Sequence, residues 1–349
     1  MNSAVLHQLD RPLVQAPMAG SQDHRLAIAV GLSGGLGSLP CAMLTPEQMV
    51  SELRLLRTQW SGPINVNFFA HTPPQPDEAV NQAWLRILKP LYDEFGVGLD
   101  EVVPGPGRQP FNSTYLDALA PFKPEVVSFH FGLPYSAMLE PIKGWGGEVW
   151  SSATTVDEAR WLQAHGADVI IAQGLEAGGH RGHFLSPDLS VQCGTFALLP
   201  QVVAAVQCPV VAAGGVATSQ GVQAALALGA SAVQVGSAFL LAHESTTTQV
   251  HRAALKASPL TPTALTNLFS GRPARGLVNR LMKDLGALHP GAPAFPLATP
   301  LLAPLRAAVE RQGLGDCSPL WCGQHLAVQH EEPAEMIVAR LCAGLKPRS

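Results

Sequence analysis

Apolar residues along this chain gather in short runs, separated by longer stretches in which they recur every third or fourth position. The first pattern predicts strands buried on both faces; the second predicts helices with one inward stripe. Strands are expected at residues 14–20, 35–41, 64–69, 126–131, 148–152, 167–173, 209–214 and 232–236. Helices are expected at 24–32, from Thr45 onward, through Trp84, Leu88 and Leu91, and at 114–120, 155–165, 194–206 and 220–228. Thr45-Pro46-Glu47 reads as a helix start, a capping hydroxyl followed by proline at the first helical position. A Gly/Pro-rich interval at 96–109 reads as an inserted loop.

Eight apolar strands alternating with helices predict an α/β fold, a (β/α)8 TIM barrel, with an open doubly wound sheet as the alternative. No GxGxxG follows the first strand, which favours the barrel. The barrel is expected over 1–245, with 246–349 completing it as a helical extension packed on it, one continuous domain.

Composition narrows the function. Of 349 residues, 47% are hydrophobic and 14% charged, and the formal charge is −4, so neither disorder nor nucleic-acid binding is expected. Prolines 296, 300 and 304 break the most apolar late stretch, and no window reaches the ~20 apolar residues of a membrane span. With no export signal and six scattered cysteines lacking a CxxC pair, a cytoplasmic, reduced protein without zinc is the expectation.

In a barrel, chemistry collects where strands end. Gly214-Gly215 ends the seventh strand and Gln234-Val235-Gly236-Ser237 the eighth; both suit close approach of a phosphate to backbone amides, or simply tight turns. After the sixth strand comes Gln173-Gly174-Leu175-Glu176-Ala177-Gly178-Gly179-His180-Arg181-Gly182-His183, too glycine-rich for a regular helix or strand and carrying a candidate proton-transfer group at its centre. His180-x-x-His183 lacks the helix and further ligands that a metal site needs. His130 faces the same mouth or serves structure, Met18 packs on a ring system or in the core, and Asn67 bonds a uracil-like edge or a backbone group.

These residues resemble the nitronate monooxygenases, formerly called 2-nitropropane dioxygenases, of the class I type, nearly end to end. The stretches that carry the resemblance are QAPMAG at 15–20, AQGLEAGGHRG at 172–182, PVVAAGGVA at 209–217 and GASAVQVGSAF at 229–239. FSGRPARGLVNR at 269–280 and WCGQ at 321–324 add to it. The resemblance implies an FMN-dependent oxidoreductase that converts alkyl nitronates, propionate 3-nitronate among them, with O2 to a carbonyl compound and nitrite. It implies flavin contacts at Asn67, Gln173, Gly178, Gly215, Gln234, Val235, Gly236 and Ser237, and an active-site histidine at His180, acting as base or as hydrogen-bond donor. The partners it implies are the small-molecule nitronate and O2, with no nucleic acid, metal or membrane, for a monomer or homodimer. The same motifs resemble FMN-dependent enoyl-acyl-carrier-protein and NADH:quinone reductases. A non-catalytic flavin- or phosphate-binding barrel is the reading from another class.

Overall fold

The computed structural model describes residues 3–103, 105, 108–257, 262–326 and 330–345. Eight strands form one parallel sheet: β1 (Leu13–Gln15), β2 (Gly37–Pro40), β3 (Ile64–Phe69), β4 (Val126–His130), β5 (Glu148–Ala153), β6 (Val169–Gln173), β8 (Val210–Ala213) and β9 (Ala232–Val235). Their order is β1-β9-β8-β6-β5-β4-β3-β2. The circle closes between its two ends, where Gln15 N donates to Leu36 O and Leu36 N to Leu13 O, both at 2.9 Å. The barrel expected from the strand count is therefore the observed fold, and the doubly wound sheet is excluded.

A helix at Ala4–Gln8, absent from the sequence reading, packs Val5 and Leu6 among the inward side chains Val14, Trp150, Val169 and Val211. The Glu148 carboxylate ties it down, accepting from Ser3 Oγ at 2.6 Å, Val5 N at 3.0 Å and Trp150 Nε1 at 2.9 Å. This leaves the opposite mouth, at the strands' C-terminal ends, as the place for a site.

Two outer layers cover the strands. One packs α3 (Pro46–Gln59), α5 (Ser113–Leu119) and α6 (Ser136–Gly144) over β2, β3 and β4. The expected cap of α3 is present: Thr45 Oγ1 accepts from Gln48 N, and the Gln48 side chain accepts from Thr45 N. The sequence reading passed over α6, which begins without a side-chain cap and contains Pro141.

The expected long helix α4 (Glu78–Glu94) forms but does not cover the barrel. Its Trp84, Leu88 and Leu91 join Leu281, Leu301 and Leu305 in a separate apolar cluster with α11 (Arg280–Leu285) and α12 (Ala298–Arg311). Tyr92 Oη donates to Leu301 O at 2.8 Å across it. The chain then returns, and α13 (Ala334–Leu341) packs Ile337 and Val338 into the barrel's other outer layer.

The glycine loop differs from its expectation. Gly179–His180 forms a short strand, β7, at the edge of an antiparallel sheet with β10 (Thr263–Thr266) and β11 (Ala274–Leu277). Ala274 pairs with His180 and Arg275 with Gly179. Gly179, at φ +72°, enters this pairing in a conformation that other residues adopt at a cost, so glycine here enables the strand it was expected to prevent.

Candidate active site

A cleft of ≈ 1330 Å³, open mouth included, lies at the C-terminal ends of the barrel strands. Asn67, Gln173, Gly178, His180, Gly215, Gln234, Gly236 and Ser237 all line it. Val235 does not. Its side chain packs in the outer core and its carbonyl accepts from Ala16 N at 2.8 Å, because neighbouring residues of a strand face opposite ways.

His180 stands in an aromatic box, with ring centroids of Phe295, Trp321, Phe131 and Phe69 at 5.2, 5.7, 5.9 and 6.2 Å. Phe131 reaches this box with φ +72°, an unfavourable conformation for a bulky residue, and the Arg272 guanidinium lies 4.2 Å from its ring centroid. His180 Nε2 lies 2.8 Å from Ser270 Oγ, and Ser270 Oγ donates to Arg272 O at 3.3 Å. With the hydroxyl hydrogen so directed, the imidazole donates through Nε2 and Nδ1 keeps its lone pair. Burial holds the imidazole pKa well below 6.5, and Arg108, His130, Arg272 and His71 push in the same direction. His180 is thus neutral at neutral pH.

The loop is held from beneath. Gln173 Nε2 donates to His180 O at 2.9 Å, while Gln173 Oε1 accepts from Gly182 N at 2.8 Å. Both ends of that carboxamide therefore fix the loop. His130 bridges Ser152 Oγ at 2.9 Å and His180 O at 3.0 Å, and burial lowers its pKa to about 4. Fully buried Arg181 donates to Gly174 O at 2.6 Å, Gln173 O at 2.7 Å and Gln192 Oε1 at 2.8 Å. His183 is buried outside the cleft, and no metal-binding cluster occurs among the described residues.

The glycine positions separate on inspection. Gly178 packs against backbone: a Cβ there would lie within 2.5 Å of Gly323 N. That contact docks the segment carrying Trp321, and two residues on Gly323 donates its N–H to Ser237 Oγ at 2.7 Å. Gly214 and Gly215 adopt φ of +107° and +71°, and a Cβ on Gly215 would meet the Glu176 side chain at 3.3 Å. Glu176 in turn accepts from Thr195 N at 2.8 Å at the start of the following helix. Gly236 has no positive φ; its Cβ would face Ala16 at 3.3 Å and Met18 Sδ at 3.7 Å.

The cleft fits a planar, phosphate-bearing group. Gln234 Oε1 is buried without a partner among the described residues. The N–H groups of Gly215 and Gly236 have no backbone acceptor among them. Asn67 Nδ2 donates to Ser128 Oγ at 2.9 Å, which presents the rest of its amide at the cleft wall. Sequence reasoning missed Arg108, Phe69, Ser152, Ser270 and Arg272. Arg108 lies in the Gly/Pro loop, where no periodicity marks a facing direction.

The family model for nitronate monooxygenase matches residues 3–344. The chain belongs to the nitronate monooxygenase family. It is 40% identical over 343 residues to a nitronate monooxygenase of Pseudomonas aeruginosa, covering 97% of each chain. A nitronate monooxygenase of Paraburkholderia phytofirmans is 38% identical, with 97% of this chain and 93% of the relative covered. Among solved structures, the nitroalkane oxidase from Streptomyces ansochromogenes superposes with a TM-score of 0.89 at 39% identity, over 98% of both chains. The protein is an oxidoreductase of this family, and the resemblance read from its motifs holds over nearly the whole chain. No described helix is long and apolar enough to cross a membrane.

Proposed function

We propose that the protein is an FMN-dependent nitronate monooxygenase of the cytoplasm, oxidising alkyl nitronates such as propionate 3-nitronate with O2 to a carbonyl compound and nitrite. The observation that carries this reading is a neutral imidazole in an aromatic box beside a cleft with unpaired backbone amides. FMN, when bound, supplies the electron chemistry. Gly215, Gly236 and Ser237 would hold its phosphate on backbone N–H groups, Gln234 and Asn67 would bond its ring edge, and Gly178 and Gln173 would shape the wall.

His180 presents Nδ1 as an acceptor, the form suited to taking an α-proton from a neutral nitroalkane. Its depressed pKa makes it a weak base, so the site must also strengthen the acid. Arg272, whose charge reaches His180, does this by stabilising the anion that forms, and that anion in turn raises the affinity of His180 for the proton. A preformed nitronate needs no such transfer. Among the described residues no Asp or Glu lines the cleft to repel either anion.

The deciding experiment is the absorption spectrum of the purified protein, followed by anaerobic mixing with propionate 3-nitronate and, separately, with NADH. A yellow protein that releases FMN and is bleached by the nitronate is expected. Bleaching by NADH alone would assign it to the reductases. A colourless protein that FMN cannot reconstitute, or one that releases FAD, would refute the cofactor reading; bound FMN without turnover would leave a binding barrel.

A further inference from the structure

Beside the main cleft lies a smaller cavity of ≈ 380 Å³, with Phe269, Ser270, Thr299 and Arg306 in its wall. Arg108 and Trp321 line both cavities, and Ser270 bonds His180, so the smaller cavity adjoins the His180 side of the cleft. We propose that Arg108 is a specificity-determining residue that binds a carboxylate on the far end of the substrate, seated in this side cavity, while the nitronate lies at His180. The proposal rests on the nitronate-oxidising reading above and adds which residue selects among nitronates.

The argument is one of uncompensated charge. Arg108 makes no ion pair among the described residues, and the undescribed residues include no Asp or Glu. Its Nε is buried without a partner. Its guanidinium carbon lies 5.9 Å from the centroids of Phe69 and Phe295, the same rings that box His180. Burial, then the charge of Arg306, lowers its pKa to about 10, which still leaves it cationic at neutral pH. Arg306 differs, since Glu310 accepts from its Nε at 2.7 Å. Neither cavity is lined by an acidic residue.

A half-buried cation whose Nε is shut off from solvent without a counter-ion is unfavourable unless something else brings the opposite charge. The planar fork of a guanidinium matches a carboxylate through two parallel hydrogen bonds. In contrast, the fully or nearly buried Arg181 and Arg252 have acceptors within the chain, whereas Arg108 is half-buried: Arg181 bonds two carbonyls and Gln192, and Arg252 bonds Thr247 O, Ala242 O and Ser245 O. Arg108 stands apart from both in facing a cavity.

The test compares two preformed nitronates of similar length, propionate 3-nitronate and 1-propyl nitronate, on wild type, Arg108→Met and Arg108→Lys. Flavin content and melting temperature are recorded for each variant. Wild type should prefer the carboxylate-bearing substrate. Arg108→Met should lose on the order of 10- to 100-fold in kcat/KM on it, mainly through KM, while 1-propyl nitronate changes less than about threefold. Arg108→Lys should recover part of the loss. Succinate should inhibit wild type competitively and the methionine variant at least tenfold more weakly.

Equal losses on both substrates, a fall in flavin content, or unchanged succinate inhibition would overturn the proposal. Should Arg108→Met fail to fold, the lysine variant and succinate inhibition of wild type carry the test. Failure of wild type to oxidise either nitronate would instead refute the function itself.

Discussion

Replacing Gly178 with alanine places a methyl group within 2.5 Å of Gly323 N, against the backbone of the Cys322–Gly323 peptide. Contact at normal carbon–nitrogen spacing requires the 321–324 segment to move outward by about 1 Å, since neither partner is a flexible side chain. Overpacking of this kind costs about 1–3 kcal/mol. The same movement strains two hydrogen bonds that dock the segment, Gly323 N to Ser237 Oγ at 2.7 Å and Gln324 N to Glu176 O at 2.9 Å. At about 1 kcal/mol each, docking weakens by roughly 3–5 kcal/mol in all. Hydrogen exchange reads this directly: the amides of residues 323 and 324 should exchange at least about 100-fold faster, while those of the barrel strands stay protected. Activity should fall with them, because the segment carries Trp321 against His180. Unchanged exchange at these two amides, with full activity, would refute the packing account of Gly178 and leave only its proposed place at the flavin.

Further outcomes follow from the imidazoles. Replacing His180 with asparagine should lower activity on neutral nitroalkanes by on the order of 10²–10⁴-fold and spare the preformed nitronate, as steady-state kinetics on paired substrates would measure; equal losses would make it an orienting group. Burial lowers the pKa values of His71, His130 and His251 to about 4 and that of His183 to about 3. The unfolded chain therefore takes up protons first as pH falls below 6.5, so thermal stability should be level above about pH 7 and drop between about 6.5 and 4. Each such group contributes up to about 3 kcal/mol of this loss, and His71→Phe should flatten the profile in melting curves taken across that range.

Much of the barrel was legible because its signals are local. β3 spans the predicted residues, and the helix expected at 24–32 forms over His24–Leu32 with Asp23 as its cap. Runs of apolar residues report burial on both faces, and a capping side chain acts within one turn, so neither needs knowledge of distant chain. The cleft-lining glycines and His180 were legible for a related reason: strand ends are fixed once strands are counted.

What the sequence determined by itself was the alternation of strands and helices, the barrel it implies, and the mouth at which chemistry collects. Tertiary structure decided the rest. The helical period of α4 is the same whether Trp84 packs on the barrel or, as it does, against Leu301 and Leu305 more than two hundred residues away. Gly179–His180 becomes a strand only because Ala274 and Arg275 arrive to pair with it. Val235 and Gln234 are neighbours in sequence, and barrel closure turns one outward and the other into the cleft. Arg108 carries no periodic signal at all. Its role emerges from what surrounds it, two cavities without an acidic residue, and long-range electrostatics of that kind is a property of the folded assembly of side chains.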